Sequence, residues 1–275
     1  MTLLKDDDIR NIASGLETYD NQLKVITGLS LVNLACRAVG WNEPEVQSLI
    51  RSCRVCAIPM TCGQGIISNF SETLCAVAQF LGFEAYVTDR TDSAGLAEAF
   101  ERHADIILTA DDYRFVAIHT GTRRVVDNAQ ATGKGFVAGL AHMAGGLQGR
   151  SLLVIGCGPV GQSAALAAAR LGARVTLFDI DQNRCHMFAK SHHGRDFMIS
   201  DTLASALDCN DLIVEATPAE NVIDLAVISA STLIAAPGVP CGISSHGREA
   251  LSSRLLCDPL QIGVATMLME AALCE

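Results

Sequence analysis

The residues Gly156-Cys157-Gly158-Pro159-Val160-Gly161 have the spacing of a loop that cradles a dinucleotide pyrophosphate. In such a loop the first glycine permits a tight turn and the second lets the backbone approach the phosphates. The third lets the following helix lie close to the preceding strand. A bare G-x-G-x-x-G is weak evidence, but here Leu152–Ile155 precedes it as an apolar run and an Ala-rich segment follows without a break. The helix N-terminus would offer free N–H groups and a partial positive charge to the phosphates. Asp179 falls about 20 residues beyond the glycines, where a carboxylate can accept from ribose hydroxyls. With Ile180 beside it, this position completes the expected adenosine side. The carboxylate would repel a 2′-phosphate, which favours NAD over NADP, although Arg184 keeps NADP open. The bland alternative is a glycine turn with no ligand.

Two later segments suit the nicotinamide side. Glu215-Ala216-Thr217-Pro218 and Ala235-Ala236-Pro237-Gly238-Val239-Pro240 each follow a short apolar run. Small residues there leave room for a flat ring and prolines stiffen the turn. Contacts are therefore expected from Ala216, Thr217, Pro218, Ala236 and Pro237, with ordinary turns as the alternative. Asp111 and Asp112 follow another apolar run, where a carboxylate could hold a cation or move a proton. Cys53 and Cys56 form a lone C-x-x-C with no second pair and no neighbouring His pair, so no metal site is expected. The eleven cysteines read as reduced thiols serving as small apolar residues in a reducing cytosol.

The elements that must position these groups change character once, near Gly145-Gly146-Leu147-Gln148-Gly149-Arg150. Residues 1–148 read as a mixed α/β domain with an N-terminal helix from about Asp6 to Leu16. Further helices are expected at Leu29–Val39, Glu43–Arg51, Ser71–Phe80, Ala94–Arg102 and Gly135–Met143. Strands are expected at Val55–Met60, Glu84–Thr88 and Ile106–Thr109, with a hairpin from Phe115–Ile118 to Arg124–Val126. Residues 149–275 read as strand-helix alternation, which implies a Rossmann-type, doubly wound parallel sheet. Helices are expected at Val160–Leu171 and Gln182–Lys190, and strands at Arg174–Phe178, Leu212–Glu215 and Leu233–Ala236. The closing helix, Gly263–Leu273, is expected to pack back across the domain junction.

The formal net charge of −10 argues against electrostatic binding of nucleic acid. No apolar run is long enough for a membrane helix, and the acidic start is not a signal peptide. A cytoplasmic chain is expected, with a homodimer compatible with its apolar C-terminal stretch.

The chain resembles the PylD family of NAD-dependent pyrrolysine synthases. The likeness runs through Leu3-Leu4, Lys24-Val25-Ile26-Thr27-Gly28-Leu29, Gly63-x-Gly65-Ile66-Ile67-x-x-Phe70-Ser71 and Leu108-x-Ala110-Asp111-Asp112-x-x-Phe115. It continues through Asn128, Thr132-Gly133, the glycine loop, Glu215-Ala216-Thr217-Pro218, Pro237-Gly238-x-Pro240-Cys241 and Pro259-Leu260-x-Ile262-Gly263-x-Ala265. The resemblance implies oxidation of the terminal amine of L-lysine-Nε-3R-methyl-D-ornithine. The imine then hydrolyses with loss of ammonia, and the aldehyde closes the pyrroline ring.

Under this resemblance Asp111 is the catalytic carboxylate facing the substrate. Asn128 and Thr132 bind its polar groups, Asp258 holds an amino group, Phe70 lies along its alkyl chain, and Leu4 closes over it. For each of these the alternative is a turn-stabilising or core role. Cys62 stands where the family pattern has serine, and a thiol donates a weaker hydrogen bond. The rival reading is another NAD-dependent amino-acid or shikimate-type dehydrogenase. A non-enzymatic NAD-sensing module is a more distant one.

Overall fold

The alternation of apolar runs and amphipathic segments resolves into two sheets. The structure, a computed structural model, describes residues 4–62 and 67–273, with the backbone alone at 43–45. The first half runs α1 (Asp6–Ile9), α2 (Ile12–Thr27), α3 (Leu31–Ala38), α4 (Glu43–Ser52), β1 (Arg54–Ile58), α5 (Phe70–Phe80), β2 (Glu84–Val87) and α6 (Asp92–Glu101). It continues with β3 (Ile106–Ala110), β4 (Phe115–His119) and β5 (Arg124–Asp127), and α7 (Asn128–Met143) leads out of it. The sheet order is β2-β1-β3-β4-β5. β1 pairs in parallel with β2 and β3, and β4 and β5 add as an antiparallel hairpin.

The second half begins with β6 (Ser151–Ile155), α8 (Pro159–Arg170), β7 (Arg174–Phe178), α9 (Gln182–Ser191), β8 (Met198–Ile199) and α10 (Leu203–Asp208). Then come β9 (Leu212–Glu215), β10 (Leu233–Ala235), α11 (Ser245–Leu251), β11 (Leu255–Leu256) and α12 (Gln261–Ala272). Its sheet runs β11-β10-β9-β6-β7-β8, all pairs parallel. The order reverses between β6 and β9, and a crevice opens beyond the carboxyl ends of such strands. Leu152, Leu153, Val154, Ile213 and Val214 are fully buried, as covering on both faces requires.

Two helices differ from the sequence expectation, and the closing helix meets it. The first helix breaks at Arg10-Asn11 and resumes as α2 to Thr27, ending in left-handed Gly28. Asp20, a polar residue in the middle of α2, is buried and accepts from Leu31 N at 2.6 Å. The connecting helix α7 starts at Asn128 rather than Gly135, capped by the Asp127 side chain accepting from Ala129 N. Finally, α12 is buried on nearly all sides, as an all-apolar helix must be. It packs on α7, α3, α5 and the β4–β5 hairpin, so the end of the chain returns to the first sheet.

Candidate active site

The glycine loop lies between β6 and α8. Gly156 has φ +93°, and a Cβ there would stand 2.9 Å from the Ala216 carbonyl oxygen and 3.0 Å from Thr217 Cγ2. This glycine is therefore needed both for its turn and for the approach of the loop after β9. A Cβ on Gly161 would collide with the Gly156 carbonyl oxygen, whereas one on Gly158 would meet nothing within 4 Å. The opening at Gly158 has the form a pyrophosphate requires. Gly158 is the N-cap of α8, Pro159 fills the first helical turn, and no side chain caps the helix. Among the loop's other positions Cys157 is buried, Pro159 is exposed and Val160 is half-buried.

Asp179 is buried at the end of β7. Its Oδ2 accepts from Cys157 N at 2.7 Å and its Oδ1 from Asp181 N at 2.9 Å. The carboxylate thus fixes the glycine loop, and each oxygen keeps a lone pair that a ribose hydroxyl can use. Ile180, 95% exposed, projects beside it. Arg184, the side chain suited to a 2′-phosphate, reaches Asp181 instead, 3.4 Å away.

Sequence reasoning missed the organiser of the opposite side. Glu215 ends β9 and is fully buried. Its Oε1 accepts from the Thr217 backbone and hydroxyl, and its Oε2 from Gly242 N at 3.0 Å. One carboxylate therefore ties the Ala216–Pro218 loop to the loop after β10. A Cβ on Gly242 would strike the Glu215 carboxylate, so the contact admits only glycine. Burial outweighs these donors and pushes the Glu215 carboxyl up to about 7. Ala216 and Thr217 are half-buried and Pro218 is exposed, while Ala236 and Pro237 are buried beneath the loop. An acidic residue ending a four-residue apolar strand was the available signal.

Two residues expected on the substrate side lie along α7. Asn128 and Thr132 are not loop residues but lie on its first turns, with Thr132 Oγ1 at 3.4 Å from Asn128 Oδ1. Gly263 of α12 packs on both, and the buried Asn128 Nδ2 has no hydrogen-bond partner among the described residues. One residue on, Gly133 lies against Val160 of the glycine loop and Ala164 of α8. Ser163 Oγ donates to Gln130 O at 2.6 Å across the same junction.

Asp111 lies in the turn between β3 and β4. Its Oδ1 accepts from Tyr113 N and Arg114 N, each at 2.7 Å, and its own N donates to Arg114 O. The Arg114 and Tyr113 N–H groups hold its carboxyl below the usual range. The Arg114 side chain pairs with Asp127 at 3.1 Å, and Asp127 adjoins Asn128, so this pairing links the Asp111 turn to the start of α7. Phe115 pairs with Ala110 across β3–β4, and its ring meets Phe70 edge-on at 5.5 Å.

Asp258 finds its partners within the chain. It accepts from Tyr19 Oη at 2.6 Å and from Leu260 N and Ile262 N at the start of α12. Burial raises its carboxyl to about 6. Leu4 packs, half-buried, on the main core. Exposed Cys62 follows Thr61, whose backbone and hydroxyl are held by Asp92 on α6. Gly63 and Gly65 lie outside the described residues.

Residues 8–126 match the family model of the pyrrolysine biosynthesis protein PylD, N-terminal domain. Residues 125–242 match that of the alanine dehydrogenase/PNT C-terminal domain. The chain is 34% identical to the pyrrolysine synthase of Methanosarcina barkeri, over 98% of this chain and 97% of that one. The chain belongs to the pyrrolysine synthase family. A second member, from Methanosarcina acetivorans, is 32% identical over 98% of each chain.

Solved structures share the family's fold at low identity. Quinate dehydrogenase from Corynebacterium glutamicum, solved with NAD, superposes with a TM-score of 0.56 at 15% identity, over 81% of this chain and 94% of that one. Shikimate dehydrogenase from Aquifex aeolicus gives 0.53 at 13%, over 80% and 90%. Among the described residues no helix is long and apolar enough to cross a membrane.

Proposed function

We propose that the chain is an NAD-dependent amine dehydrogenase that oxidises the terminal amine of L-lysine-Nε-3R-methyl-D-ornithine and so forms pyrrolysine. The observation that most supports this reading is the approach of α7 to the glycine loop. Thr132 directly precedes Gly133, which contacts Val160, and Asn128 lies just over one helical turn before it, beside the opening at Gly158. NAD bound over that opening would supply the hydride acceptor for the amine-bearing carbon. Gly158 and the uncapped start of α8 would hold its pyrophosphate, Asp179 and Ile180 its adenosine, and the loops tied by Glu215 its nicotinamide.

The remaining chemistry falls to the chain's own residues. The amine must be neutral before its carbon can give up hydride, and a free alkyl ammonium has a pKa of roughly 10. Asp111, ionised through its backbone donors, suits the role of counter-ion to the arriving ammonium. The same carboxylate then relays the ammonium proton to solvent water, leaving the neutral amine, and orients the water that hydrolyses the imine. Asn128 Nδ2, buried without a partner among the described residues, is a donor for a substrate carbonyl or carboxylate. Residues 1–148 would thus supply most substrate contacts and residues 149–275 the cofactor contacts, with Asp258 shaping the start of α12. NADH formed with this substrate supports the proposal, and dinucleotide binding without NADH opposes it.

A further inference from the structure

A cavity of about 330 Å³ opens where the end of α3, β5, α7, the end of α8 and α12 meet. It stands apart from the opening at Gly158. Arg170, on its wall, ends α8, whose 12 residues begin beside Gly158. The two lie about 18 Å apart along the helix axis, at a rise of about 1.5 Å per residue. On α7 the cavity meets Lys134, two residues beyond Thr132 and so about 200° around the helix from it. The cavity therefore adjoins the side of α7 opposite to the one that carries Thr132.

Four cations, Arg37, Arg124, Lys134 and Arg170, line this cavity with one carboxylate, Glu270. Glu270 is already engaged by two of them. Lys134 Nζ donates to both its oxygens at 2.7 Å, and Arg124 donates to Oε1 at 3.2 Å. The Arg37 and Arg170 side chains have no hydrogen-bond or ion-pair partner among the described residues. Such an electropositive hollow is a local reversal in a chain with 30 acidic against 20 basic side chains. Two large apolar residues line the same cavity while staying open to water, Trp41 at 41% and Leu171 at 47% exposed.

We propose that this cavity binds a small organic anion, with its carboxylate or phosphate oxygens on Arg37 and Arg170 and its apolar body against Trp41 and Leu171. Guanidinium groups present paired N–H donors that match the oxygens of either anion. The Lys134–Glu270 pair forms the less exposed floor, with side chains 21% and 15% exposed. Because Glu270 offsets Lys134 and Arg124, the anion is drawn to the two unpaired arginines. The volume lies near the lower end of small-molecule sites, so it suits a single ring or short chain rather than a dinucleotide. The site is independent of the amine chemistry proposed above, and its test needs neither NAD nor that substrate.

Trp41 is the one tryptophan of the chain, so its fluorescence reports on the cavity directly. The full chain is titrated with phenyl phosphate, benzoate, inorganic phosphate and benzyl alcohol. Thermal melts with each compound give a second signal, since a ligand of the folded state raises the melting temperature. Phenyl phosphate or benzoate should give a saturable change, and the tighter of the two names the oxyanion. Inorganic phosphate and benzyl alcohol, each lacking one half of the ligand, should bind far more weakly. Arg37→Gln and Arg170→Gln replace exposed side chains and should melt like wild type. Each should weaken binding about 10-fold, the scale of a lost hydrogen bond to a charged group. Undiminished binding in both variants would put the anion elsewhere and overturn the site. No saturable change in either signal at millimolar anion would do the same, as would benzyl alcohol binding as tightly as the anions. Inorganic phosphate binding as tightly as phenyl phosphate would overturn the role of Trp41 and Leu171.

Discussion

A Cβ on Gly133 would lie 2.6 Å from the carbonyl oxygen of Val160, so the helix carrying Asn128 and Thr132 can meet the glycine loop only through a glycine. Backbone surrounds the position, with Ala164 N at 2.7 Å, and neither neighbour can swing aside. Gly133→Ala should therefore push α7 from α8 and cost about 1–3 kcal/mol, as overpacking does. Chemical denaturation measures the loss, and the KM for the dinucleotide should rise with it. Wild-type values for both would show that this contact does not set the site.

The second and third glycines of the loop should respond in opposite ways. Gly158→Ala has room for its methyl, so the chain should fold with near-wild-type stability while binding the dinucleotide more weakly. Gly161→Ala collides with the Gly156 carbonyl oxygen and should lower stability as well. Thermal melts with and without NAD separate the two effects. Equal NAD stabilisation of wild type and Gly158→Ala would argue against a pyrophosphate at that opening.

Asp111 holds a turn and, in our proposal, meets the substrate. Asp111→Asn separates these roles, because its side-chain oxygen can still accept from Tyr113 N and Arg114 N. The variant should melt like wild type and bind NAD normally, with kcat reduced by about 100-fold or more. Near-normal kcat would leave Asp111 a turn residue only.

The buried carboxyl of Glu215 predicts a pH-dependent stability. Its folded pKa, about 7, lies above that of an unfolded glutamate. Between roughly pH 4.5 and 7 the folded chain keeps a proton that the unfolded chain releases, so this contribution is full below that window and declines across it. The slope is at most about 1.4 kcal/mol per pH unit. Asp258, raised to about 6, adds the same sign over a lower window. Glu215→Gln should flatten the upper part of the profile in urea titrations at stepped pH. An unchanged profile would mean that Glu215 is ionised in the folded chain across this range.

The glycine loop, its strand and its helix were legible because their signals lie within one stretch of sequence. The early start of α7 was not. Gly133, Gly135 and Gly139 weaken a helix by propensity, yet each is a place where another element comes too close for a side chain. A Cβ on Gly135 would stand 2.5 Å from both Ile262 Cγ2 and Thr266 Oγ1, and one on Gly139 would strike Leu256. Packing by distant residues thus requires what local propensity discourages. The bonds made by Glu215 and Asp258 were obscured for the same reason. Their key partners, Gly242 and Tyr19, are remote in sequence, and only the fold brings them together.

The central claim is most directly tested by mixing purified chain and NAD with L-lysine-Nε-3R-methyl-D-ornithine, following NADH and weighing the product. The account predicts NADH together with a product lighter than the substrate by ammonia and two hydrogens. Dinucleotide binding with no NADH, or NADH with a product that keeps all its nitrogen, would contradict it.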